Sequence, residues 1–207
     1  VSRWRGLAMV AHAWASVALI IALTLWIGHP IVWIPAVFLL GGRQLGLAIL
    51  MHDGAHGLLH PNRAINNFAG EWLTGAAVGS DLKSYRTYHL THHRYTQQAE
   101  DPDLGLSKPF PTSRASLLRK ALRDLTGQTF FKQRSAQFAI AWRGLRAMLS
   151  HAGSDDQAGR DATAGTPFNR QSAAGINAPP PASTKGAIAV TKTVGRFLLV
   201  QALLLAL

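Results

Sequence analysis

Residues 7–27, LAMVAHAWASVALIIALTLWI, and residues 31–50, IVWIPAVFLLGGRQLGLAIL, flank a single short turn, Gly28-His29-Pro30. From Gly6 to Gly42, 37 residues, there is no Asp, Glu, Lys or Arg. A bilayer core about 30 Å thick takes about 20 helical residues, and each stretch has that length. Pro30 suits the first turn of a helix and Gly28 the end of one. The stretches are therefore expected to cross a membrane twice, over 7–27 and 31–50. Two buried helices of a soluble core would not need so long an uncharged run. A signal peptide carries only about 7–15 apolar residues.

The rest of the composition has to be read around that hairpin. The chain has 207 residues, 21 Lys+Arg, 10 Asp+Glu and no Cys, for a formal charge of +11. Charged residues make up 15%, against about 25% in an ordinary soluble domain. Without cysteine, a disulfide-stapled domain, a zinc–thiolate finger and a Cys-ligated iron–sulfur protein are excluded. The positive charge would fit a nucleic-acid binder, but its distribution argues otherwise. Arg3 and Arg5 precede the hairpin, its turn has no basic residue, and sixteen lie from Arg63 to Lys185. The positive-inside rule then puts the N-terminus and the middle of the chain in the cytoplasm. The excess reads as a topology signal and an attraction to anionic headgroups, with no nucleic-acid partner. Fifteen Arg against six Lys, with abundant Ala and Gly, lean toward a bacterial cytoplasmic membrane.

Further along, Arg43 and Gln44 interrupt the second stretch. Polar residues at such depth face a bundle interior or a functional cavity, or snorkel toward water. Residues 64–79 are moderately apolar but contain Glu71, which fits an interfacial or re-entrant helix. Over 114–150, apolar residues recur at three- and four-residue steps against Arg119, Lys120, Arg123, Arg143 and Arg146. That pattern describes an amphipathic helix lying on the membrane surface. Residues 151–186, rich in Gly, Ser, Ala and Pro, read as a disordered linker. Residues 187–207 read as the start of a third, incomplete transmembrane helix. Residues 1–150 would form one domain. The fold class is all-α: an integral membrane helical bundle.

Nine histidines are present, and five fall in two tight groups. His52 and His56 directly follow the second span. His89, His92 and His93 follow 33 residues after His56. Spacings of three and four put each group on one face of a helix, where imidazoles can enclose a metal. Imidazole suits Zn, Cu, Fe and Ni alike. A zinc protease would want His-Glu-x-x-His, which is absent; haem would need only two axial histidines. Asp53, Glu100, Asp101 and Asp103 are the nearest carboxylates to orient such ligands. His60 continues the four-residue series from His56, but Pro61 ends it.

The pattern His52-x-x-x-His56, His89-x-x-His92-His93, with Tyr85-Arg86 before the second box and Asp101-Pro102-Asp103 after it, resembles the membrane fatty acid desaturase/hydroxylase superfamily. It is most similar to the bacterial acyl-lipid desaturase-like branch. The resemblance covers about residues 7–150. It implies a non-haem di-iron oxidase in which His52, His56, His89, His92 and His93 bind two iron ions. His60, Asp53 and Asp101 would be further metal or supporting residues. Members use O2 to remove hydrogen from an unactivated C–H bond, giving a C=C bond or an alcohol. The implied substrate is an acyl-lipid chain, and the implied electron donor a ferredoxin or cytochrome-type protein docking on the basic face.

The superfamily's third box, His/Gln-x-x-His-His, has no counterpart here, since no histidine follows His151. The expectation is an N-terminal part of a longer protein, or a truncated product with an incomplete site. The leading reading is an acyl-lipid desaturase. The alternatives are a hydroxylase or ketolase of the same chemistry acting on carotenoids or sterols, and a catalytically silent membrane fragment.

Overall fold

A computed structural model describes residues 4–107, 110–150 and 184–206. The described residues are helical, and the chain divides into two compact units. One comprises Val1–Lys83 with Arg196–Leu207, the other Ser84–Gly195.

The first unit opens with α1 (Arg5–Ile27) and α2 (Trp33–Ala55), joined through a 3-10 turn at Pro30–Val32. Gly28 ends α1 in the left-handed region at φ 65°, a conformation cheap only for glycine. The His29 ring accepts the Ile31 N–H at 3.2 Å, and Pro30 starts the next turn without an amide to satisfy. The hairpin read from the sequence is present; α1 begins two residues earlier than expected, and α2 runs five residues further, to Ala55. Trp26, Phe38, Val37 and Leu45 point outward and are exposed, as they would be toward lipid. The inward side is small: Val10, Ala13, Leu47 and Leu50 form the core with Leu59, Ala69, Ala77 and Val78. Among the described residues, three helices are long and apolar enough to cross a membrane, Arg5–Ile27, Pro30–Ala55 and Gly186–Leu205. The protein is an integral membrane protein.

After α2 the chain turns at Gly57 (φ 77°) and continues as α3 (Arg63–Phe68), a π-helical stretch over Ala69–Gly75, and α4 (Ala76–Val78). Asn62 caps α3 by accepting from Ala64 and Ile65 N–H. The wide π turn packs against α2 almost backbone to backbone. A Cβ on Gly54 would sit 3.2 Å from Gly70 Cα, and one on Gly70 would sit 2.9 Å from Leu82 Cδ2. Gly6 of α1 is similarly pressed against the backbone of Leu59.

The same unit holds a charge cluster. Arg196 ion-pairs with Glu71 and, at 2.8 Å, with Asp81, and its guanidinium lies 5.8 Å from the Trp72 ring centre. Glu71 also accepts the Leu82 N–H at 2.7 Å, where the next helix begins. Burial, then the charge of Asp81, push the Glu71 carboxyl above its ordinary range; Arg196 and the Leu82 amide offset only part of this.

That next helix is α5 (Leu82–Tyr95), followed by α6 (Leu104–Ser107), α7 (Arg114–Leu125), α8 (Gln128–Leu149) and α9 (Thr184–Leu205). The single amphipathic helix expected over 114–150 is thus two helices. Gly127 takes φ 73° and breaks the run, while the Ser113 side chain caps α7 by accepting from Ser116 N–H. On α7, Leu117, Leu118, Leu122 and Leu125 are all exposed. In the second unit α8 and α9 meet at Gly144, where no larger residue fits against Ala187 and Thr191. The Thr191 hydroxyl donates to Ala141 C=O at 2.7 Å, and Ile140, Ala141, Ala187, Val190 and Val194 close a small core. The linker read over 151–186 lies outside the described residues except for Thr184–Gly186, which begin α9.

Candidate metal centre

The last turn of α2 presents His52 and, at its C-cap, His56. What holds that turn is Asn66, which is fully buried. Its amide donates to Gly54 C=O at 2.9 Å and its oxygen accepts the Leu59 N–H at 3.1 Å. The Gly54 C=O also accepts the Gly57 N–H at 3.1 Å, and Leu59 lies just past the end of α2, so Asn66 ties the turn to the helix end at two points. With the turn fixed, the His52 and His56 rings lie 4.8 Å apart, centre to centre, with ring nitrogens within 4.8 Å of one another. Asp53 Oδ1 stands 3.2 Å from His52 Nδ1. A proton shared there puts the ring's lone pair on Nε2. His60 does not continue this face. The helix stops at Ala55 and Gly57 reverses the chain, so His60 is buried edge-on to Trp4, its Nδ1 accepting the Asn62 N–H at 2.9 Å.

The second group sits on α5. His89 Nε2 and His93 Nε2 converge to 2.9 Å, a separation that two lone pairs tolerate only around a shared proton or cation. Tyr85, one turn earlier, stacks on His89 with its ring tilted only 10°. His92 is held differently: its Nδ1 lies 2.8 Å from Asp101 Oδ1. Asp101 is buried and also accepts the Gln97 and Asp103 amides, each at 2.8 Å. Burial works to raise its carboxyl, but the bonds from His92, Gln97 and Asp103 outweigh it and hold the group below the usual carboxylate range. An ionised Asp101 keeps the proton on His92 Nδ1 and exposes Nε2, the arrangement commonly seen behind metal-bound imidazole. Tyr88 donates to Asp103, and burial followed by that hydrogen bond pushes its phenol well above the ordinary range.

Each group therefore offers what an iron ion takes: imidazole nitrogens converging in pairs, and tautomers set by neighbouring carboxylates. Of the carboxylates read from the sequence, Asp53 and Asp101 each touch a histidine of the boxes, and Asp103 lies 3.6 Å from His92 Nδ1. Asn66 escaped sequence reasoning. Its only signal is a pair of Asn residues inside an otherwise apolar segment. Tyr88 escaped as well, since its link to Asp103 crosses 15 residues of chain.

A profile described as fatty acid desaturase matches residues 28–160. The chain belongs to the fatty acid desaturase family. This family of membrane di-iron oxidoreductases is the one the histidine spacing pointed to. Within it, the similar characterised proteins belong to another branch than the acyl-lipid one expected. A beta-carotene ketolase of Paracoccus sp. strain PC1 is 32% identical over 93 residues, 42% of this chain and 38% of the relative. A beta-carotene ketolase of another Paracoccus strain is 32% identical over 82 residues, 39% of this chain and 34% of the relative. The chain thus matches little more than a third of the length of either. No solved structure matches it.

Proposed function

We propose that the whole protein oxidises the ring of a carotenoid, converting a methylene to a ketone, as a desaturase-family ketolase. The observation that carries this reading is the 32% identity to two beta-carotene ketolases, which favours it over the acyl-lipid desaturase inferred from box spacing. A desaturase remains the second reading because the matching family profile carries that description.

In this reading His52, His56, His89, His92 and His93 hold two iron ions, with the N-terminus and both boxes on the cytoplasmic side. When bound, the iron pair supplies O2 activation and the oxidising power to replace ring hydrogens by oxygen. The residues of the chain do the rest. Asp101 holds the proton on His92 Nδ1, Asp53 does the same for His52, and Tyr85 fixes the plane of the His89 ring. Asn66 fixes the turn that carries the first box. Exposed leucines on α7 seat that helix in the leaflet, while its arginines meet headgroups and attract an acidic ferredoxin or cytochrome-type donor. An apolar cavity of about 550 Å³ between α1, α2 and the end of α9 includes Trp14, Trp33 and Gln44. Its lining on α2 stops at Leu47, more than one turn before His52, so it is not assigned as the reaction chamber.

The test is expression of the whole protein in a host that accumulates β-carotene, with pigment and lipid profiling. Ketocarotenoids are the expected product; unsaturated acyl chains with unchanged pigments would transfer the assignment to desaturation. His92→Ala should abolish both iron content and turnover. Retention of both would remove His92 from the ligand set.

A further inference from the structure

Arg43 lies near the middle of the span Pro30–Ala55, twelve residues from Ala55. At 1.5 Å per residue that is about 18 Å from the end of the helix, whereas an arginine stem covers about one turn. A cation there is costly without a counter-charge. The same face of the hairpin carries Arg5 and His12, two turns apart on α1. Together the three side chains bound a groove of about 590 Å³ that also includes Met9, Gly46 and Ile49. A Cβ on Gly46 would meet nothing within 4 Å, so the groove is open beside Arg43.

The counter-charge does not come from this unit. Its acidic side chains are Asp53, Glu71 and Asp81. Asp53 faces His52, and the other two are taken by Arg196. Among the described residues, Arg5, His12 and Arg43 have no side-chain hydrogen bond or ion pair. A ladder of donors descending from the membrane surface into an apolar groove matches one chemistry: an anionic headgroup followed by hydrocarbon. We propose that the α1–α2 hairpin binds an anionic phospholipid, with its phosphate between Arg5, His12 and Arg43 and its acyl chains along Met9 and Ile49. Arg43 draws the phosphate below the plane of its neighbours, and Gly46 leaves the room it needs. A zwitterionic lipid, whose phosphate already has an internal cation, gains less from the same site.

The experiment is native mass spectrometry of the 207-residue chain in maltoside micelles titrated with phosphatidylglycerol or phosphatidylcholine. Phosphatidylglycerol should be retained at least tenfold better than phosphatidylcholine. The double variant Arg5→Gln/Arg43→Gln should lose at least tenfold of that retention, and Arg43→Lys should keep most of it in the same fold. Arg119→Gln/Arg123→Gln, on α7, should change it little. Equal retention of the two lipids, or full retention by the Arg5→Gln/Arg43→Gln variant, overturns the proposal. So does a lipid-independent dimer that Arg43→Gln dissociates, because the counter-charge would then be a carboxylate of another copy.

Discussion

Replacing Arg196 by Met should destabilise the protein by about 3 kcal/mol at pH 7. The guanidinium stands between two carboxylates, Glu71 and Asp81, so its removal leaves like charges facing each other in a partly buried site. Breaking a buried pair from one side costs about 3–5 kcal/mol. Here Arg196, Glu71 and Asp81 keep 21%, 16% and 24% of their side-chain exposure, and water screening puts the cost at the low end. That is a loss of roughly a hundredfold in the folding equilibrium. The assay is reversible unfolding in mixed micelles, followed by far-UV circular dichroism.

Its pH dependence gives a second signature. The Glu71 carboxyl is already held above its ordinary value, and Arg196 is one of two groups pulling it down. Without Arg196 the folded state takes up a proton on Glu71 more readily than the unfolded chain does. Stability then falls as pH rises through the window between the ordinary Glu value, about 4.3, and the raised one. The Arg196→Met defect should therefore shrink toward pH 4. The triple variant Glu71→Gln/Asp81→Asn/Arg196→Met should recover most of the loss, since no unpaired charge remains. A defect under about 0.5 kcal/mol, or one that persists in the triple variant and ignores pH, would refute the reasoning.

Three further outcomes are expected. Asp101→Asn should lower iron affinity by about 10–100-fold, as loss of a carboxylate behind a metal-bound imidazole does; metal titration of the purified protein measures it, and unchanged affinity would leave Asp101 a turn-forming residue only. Asn66→Ala removes the acceptor of the buried Leu59 N–H, at about 1–3 kcal/mol, while the Gly54 C=O keeps its bond from the Gly57 N–H; unfolding should show the loss, and hydrogen exchange should quicken at Leu59. Gly6→Ala drives a methyl into the Leu59 backbone and should cost about 1–3 kcal/mol, whereas Gly46→Ala, facing open space, should be close to neutral by the same unfolding assay.

The hairpin and the family were legible in the sequence alone. An uncharged run of 37 residues has few physical solutions other than spanning helices, because no soluble surface could be built from it. Histidines three and four residues apart share a helix face whatever surrounds them, so local spacing was enough to pair His52 with His56 and His89 with His93. The linear code was weaker where partners are far apart. Glu71 weakened the case for a span, and Arg196 lay inside an apolar tail, yet nothing local says that 125 residues of chain separate the two halves of one ion pair. Only tertiary structure joins them, because a buried charge is satisfied by whatever the fold brings near. The same holds for Asn66, whose value lies in joining the Gly54 C=O of α2 to the Leu59 N–H of the turn that follows, and for His60, removed from the histidine face by one left-handed turn at Gly57. Helix periodicity determined which residues could hold a metal. Packing, caps and long-range charge pairing decided which of them are oriented to do so.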